Sequence, residues 1–93
     1  MDRVQNPEDD DGTRRKIEGI ILNNLYAVHS SLNPTIHYSK LKEATKAAEA
    51  FFDDAMINLQ AGGWIRSNGV DEYIITLGGI NEYNRRKDKG TLI

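Results

Sequence analysis

The sequence has no cysteine, two prolines and one tryptophan, and it nowhere runs apolar for more than a few residues. Without cysteine there is no disulfide framework and no thiolate metal site, which fits a reducing compartment. Without a long apolar run we expect neither a secretory signal nor a membrane span, and therefore a soluble, cytoplasmic protein with no membrane partner. A large excess of one charge is also missing: twelve Lys and Arg stand against fourteen Asp and Glu, a net charge of −2. That balance hides an asymmetry. Residues 1–12 carry five acids against Arg3, whereas the remaining residues carry eleven bases against nine acids. A mildly basic body with an acidic tail is compatible with a nucleic-acid partner but falls short of the basic footprint that would announce one. At 93 residues there is room for a single domain with a compact core and little room to enclose a catalytic cleft.

The acidic tail, residues 1–12, has too little apolar surface to offset its ordering entropy and is expected to be disordered. Thr13 is placed to cap a helix in which Ile17, Ile20, Ile21, Leu25, Val28 and Leu32 follow helical spacing, with Leu22 and Tyr26 off that stripe. Asn33-Pro34 ends it, because the residue before proline is pushed out of the α region. Thr35 to His37 leaves room for one short β-bridge. A second helix is expected from Tyr38 or Ser39, with Leu41 and Ala44 or Thr45 inward and Lys40 and Lys42 outward. In the third, Ala48, Phe52, Ala55, Met56 and Leu59 fall on one narrow apolar stripe, expected to be core. Gly62-Gly63 supplies a left-handed helix stop. Asn68-Gly69 is a strong turn dipeptide, so residues 64–76 read as a hairpin. Thr76 caps a last helix whose end carries Arg85, Arg86 and Lys87, and residues 89–93 are expected to fray.

This arrangement resembles the winged helix-turn-helix superfamily, and more loosely its small prokaryotic and archaeal transcription-regulator members. The landmarks are Leu41 and Leu59 eighteen residues apart, Gly63-Trp64-Ile65, Gly69 at the hairpin tip, and Ile75-Thr76 with Gly79. The resemblance implies an α+β fold over residues 13–88: a three-helix core, a β-hairpin wing and a C-terminal helix. It also implies binding to double-stranded DNA, transcription regulation and a homodimer. By position, phosphate contacts fall to Arg14, Arg15, Ser39, Lys40, Lys42, Lys46, Arg66 and Asn68. The helix-three face is Glu49, Ala50, Asp53 and Asp54, with Phe51 and Ile57 beside them. Leu22, Tyr26, Ile80 and Tyr83 are the candidates for a dimer contact or, equally, for core.

The helix-three face is acidic, which suits phosphates poorly and leaves a second class of partner open, a protein groove met by Phe51, Ala50, Ile57 and the surrounding carboxylates. Other chemistry is weakly supported. His29 and His37 stand eight apart without clustered ligands, and neither Glu49 with Asp53 nor Asp53 with Asp54 has the convergent partners that metal binding or acid–base catalysis needs. No enzyme activity, metal or cofactor is expected.

Overall fold

The computed structural model describes residues 7–90. The order of elements is α1 (Pro7–Val28), β1 (Ile36–His37), α2 (Tyr38–Thr45), α3 (Glu49–Ala61), β2 (Ile65–Ser67), β3 (Glu72–Ile75) and α4 (Leu77–Asp88). It is an α+β structure of four helices and a three-stranded antiparallel sheet in the order β1-β3-β2.

The first helix begins well before Thr13, at Pro7, so the expectation of a disordered segment fails for residues 7–12; residues 1–6 lie outside the described range. A proline followed by four acids is the composition that helix N-termini favour, since the proline lacks only an N–H that would be unsatisfied there and the acids oppose the positive end of the dipole. Arg14, Arg15 and Lys16 are therefore two turns inside the helix and not at its start. The C-terminal end is also shorter than the apolar spacing implies. α1 stops at Val28, and Leu32, beyond the helix, is fully exposed.

α1 packs on the other three helices and on β3. That wide contact explains why Leu22 is completely buried while Ile20 is only half-buried, the reverse of the simple stripe. Ile17, Ile21, Leu22 and Leu25 of α1 meet Leu41 of α2, Phe52, Ala55, Met56 and Leu59 of α3, Ile65 and Ile75 of the sheet, and Tyr83 of α4. Burial of each large apolar side chain contributes about 1.5–3 kcal/mol. Ala48, expected in this core, is instead the exposed N-cap of α3.

The connections are set by local chemistry. His37 caps α2, its Nδ1 accepting from the Ser39 N–H at 3.1 Å. Lys46 ends α2 in the left-handed region at φ 55°, its N–H donating to the carbonyls of Lys42 and Glu43, and this reverses the chain into α3 within three residues. Gly63, at φ 76°, turns the chain out of α3 into the strand. β2 pairs with β3 from Ile65 opposite Ile75 to Ser67 opposite Tyr73, and β1 pairs on the other edge of β3. Thr76 then ties three pieces together. Its Oγ1 accepts from the Gly79 N–H at 3.0 Å and donates to the Gly63 carbonyl at 2.6 Å, while its N–H donates to the Trp64 carbonyl. Gly79 has to be glycine in this packing, because a Cβ there would overlap the Trp64 carbonyl oxygen. α4 closes at Asp88 with Lys89 as its cap. No helix among the described residues is long and apolar enough to cross a membrane.

Candidate functional site

Phe52, Ala55, Met56 and Leu59 fix the inner side of α3, so helical geometry turns Ala50, Asp54, Ile57 and Ala61 outward along one line. All four are exposed, and Phe51 beside them is half-exposed at 52 %. Ile57 retains 65 % of its surface. Single exposed apolar residues are ordinary, but here two large ones and two alanines share the outer side of one helix.

The carboxylates of α3 are less available than their positions suggest. Tyr38 Oη donates to Asp53 Oδ1 at 2.6 Å, joining the start of α2 to the middle of α3. The same bond, reinforced by burial, pushes the Tyr38 hydroxyl up to about 12, since the neutral phenol is the donor. Tyr38 also meets Phe52 edge to face, with ring centroids 5.1 Å apart. Asp54 Oδ2 lies 3.6 Å from Arg14 Nη1, and Arg14 Nε lies 3.6 Å from Glu18, so this arginine bridges α1 and α3. Glu49 remains exposed.

The eight cationic and polar residues expected at phosphates do not form one surface. Arg14 is engaged with carboxylates. Arg15 is exposed and lines a cavity of about 170 Å³ with Arg14, Glu18, Asn58, Trp64 and Arg86. Lys40 and Lys42 are about 200° apart around α2 because they are two residues apart. Lys40 lines an open groove of about 500 Å³ with Asn24, Asn33, Thr35, His37, Glu43 and Glu72, whereas Lys42 lies nearer the Tyr38 side that faces α3. Ser39 is exposed and hydrogen-bonded to His37. Lys46 in the α2–α3 turn, and Arg66 and Asn68 on the hairpin, are exposed. Lys42, Lys46, Arg66 and Asn68 are the members of the set on the elements that precede and follow α3 in the chain.

Two of the four residues offered for a dimer contact are internal. Leu22 is fully buried and Tyr83 keeps only 7 % of its surface, because α1 and α4 pack directly on each other. Tyr83 stacks on Tyr26 at 4.2 Å and donates to Asn23 Oδ1, and Tyr26 stacks in turn on His29. Tyr26 and Ile80 are half-buried against the core, leaving only part of each at the surface.

The most buried polar groups among the described residues are three that sequence spacing did not single out. Glu18, Glu82 and Arg86 retain 1 %, 7 % and 2 % of their surface. Arg86 Nε donates to Glu82 Oε2 at 2.6 Å and Arg86 Nη2 to Glu18 Oε1 at 3.0 Å, while Asn58 Nδ2 donates to Glu18 Oε2. The Arg86 guanidinium lies 5.2 Å from the centre of the Trp64 ring. Arg85 makes two further bonds to Glu82, and the Arg85 and Arg86 bonds together hold its carboxyl down to about 2 against the opposing effect of burial. The cluster joins α1, α3 and α4, with Trp64 of the α3–β2 connection stacked on it. A signal existed: Glu18 is four and seven residues before the buried Leu22 and Leu25, and Gly79, Glu82, Tyr83 and Arg86 repeat at helical spacing.

No protein-family model matches this chain, and searches of curated proteins and of solved structures find no similar protein. Among the described residues no group of three or more His, Asp or Glu side chains is placed to hold a metal ion.

Proposed function

We propose that the chain is a DNA-binding protein of the winged helix-turn-helix kind, using α2–turn–α3 as the helix-turn-helix and the β2–β3 hairpin as the wing, in a transcription-regulating role. The observation that carries this reading is the uncovered outer line of α3. It belongs to the second helix of a tight helical pair, is followed directly by a two-stranded ribbon, and has Lys42 and Lys46 before it and Arg66 and Asn68 after it. An α-helix left uncovered in this way fits the major groove, and cations on flanking elements fit the adjacent phosphates. The Arg14 cation beside Asp54 offsets part of the repulsion that an acidic helix would otherwise meet at a dense phosphate charge.

The test is a titration of the protein against mixed-sequence duplex at several salt concentrations. Affinity falls as salt rises, and Lys42→Ala or Arg66→Ala lowers the slope of log affinity against log salt by about one. Absence of binding at low salt overturns the reading. The exposure of Phe51 and Ile57 favours a second reading, a protein groove as the partner of α3, and that result would leave it standing.

A further inference from the structure

The identity of the side chains on α3 narrows what a duplex could offer it. In the major groove, guanine presents two acceptors and adenine an acceptor beside a donor, so reading a purine by its acceptors requires a protein donor. The side chains along the outer line of α3 have none to give. Those of Ala50, Ile57 and Ala61 carry no polar atoms, and the Asp54 carboxylate can only accept, so donors at this end of the helix are confined to the backbone N–H groups of its first turn. Of the two amides of the helix, Asn58 is half-buried with Nδ2 donating to Glu18 at 2.6 Å, and Gln60, off the outer line, turns one N–H of Nε2 back to the Met56 carbonyl at 3.3 Å. Asp53 accepts from Tyr38. Apart from Asp54, the outer line is aliphatic, with Ile57 at its centre, and the apolar group that a major groove displays is the C5-methyl of thymine.

We propose that α3 recognises thymine methyl groups, so that the preferred ligand is a thymine-rich duplex read by apolar contact. This rests on the DNA-binding reading above. Ile57 and Ala50 bury the methyl groups against the helix, Ala61 allows close approach at its far end, and Lys42, Lys46 and Arg66 supply affinity that is indifferent to sequence.

The experiment compares two duplexes of the same thymine-rich sequence, one with every thymine replaced by uracil, which removes the methyl groups and keeps base pairing and phosphates. Binding to the full chain is read by fluorescence anisotropy at fixed salt. The thymine duplex binds more tightly, by about fourfold for each methyl buried. Ile57→Ser, a change at an exposed position that circular dichroism confirms as folded, brings the ratio toward one. Arg66→Ala weakens both duplexes equally and keeps the ratio. Equal binding of the two duplexes by the unaltered chain overturns the methyl reading while leaving DNA binding intact. Failure to bind either at low salt overturns both.

Discussion

Replacing Arg86 by Met removes one charge from the buried cluster and nearly preserves the volume of the side chain. The consequence follows from what is left behind. Glu18 and Glu82 stay almost fully buried, Glu18 keeping Asn58 and a 3.6 Å approach of Arg14, and Glu82 keeping Arg85. Both lose their shared cation, and the stacking of the guanidinium on Trp64 goes with it. Stranding buried carboxylates in this way costs about 3–5 kcal/mol, a large part of the roughly 5–15 kcal/mol that keeps such a domain folded. Urea denaturation followed by circular dichroism measures it. The loss depends on pH in a definite sense. In the unaltered chain the Glu82 carboxyl is held at about 2, below its ordinary 4.5, so its contribution is complete above 4.5 and disappears as pH falls from there toward 2. The gap between Arg86→Met and the unaltered chain is therefore widest near neutral pH and narrows in that acid window. Replacing Glu18, Glu82 and Arg86 together by apolar residues of similar size recovers most of the loss, because the cost lies in unpaired buried charge. A loss below about 1 kcal/mol for Arg86→Met at neutral pH, or one that grows on acidification, would refute this account of the cluster.

Three further outcomes are expected. Asp53→Ala removes the acceptor that holds Tyr38 protonated, so the Tyr38 transition, followed by ultraviolet absorbance, moves down from about 12 toward 10. In the unaltered chain this bond's contribution is complete below pH 10 and is lost as pH rises from 10 toward 12. Thr76→Ala deletes the α4 cap and the bond to the Gly63 carbonyl, lowering stability in thermal denaturation by about 1–2 kcal/mol. Gly79→Ala drives a methyl group into the Trp64 carbonyl at the junction of α4 and β2, and costs about 1–3 kcal/mol in the same assay, where an ordinary helical glycine would gain from alanine.

Much of the architecture was legible because local signals agreed with one another. The stripe from Phe52 to Leu59, the left-handed Gly63, the hairpin and the Thr76 cap each correspond to an observed feature, and each depends on residues close in the chain, although the hairpin turns through four residues, 68–71, with Gly69 and Asp71 at positive φ, and not through Asn68-Gly69 alone. α1 was less legible. A run of acids after Pro7 suits both a solvated tail and a helix start, and composition alone does not choose between them. Periodicity also assumes one packed face, whereas α1 is contacted by four other elements, so Leu22 is drawn into the core and Ile20 partly out of it. The candidate site was legible as a helix face but not as chemistry. Nothing in the spacing of Tyr38 and Asp53, or of Arg14 and Asp54, announces that they meet, and Lys40 parts from Lys42 only once both flanks of α2 are covered.

If α3 is the DNA-contacting helix, a map of backbone amide resonances recorded as duplex is added locates that contact residue by residue. We expect the shifts to concentrate in residues 46–61 and 65–72, spanning the α2–α3 turn, α3 and the β2–β3 hairpin, and to leave the α1–α4 face near Tyr26 and Ile80 unmoved. Shifts centred on that α1–α4 face, or none at low salt, would contradict that role for α3.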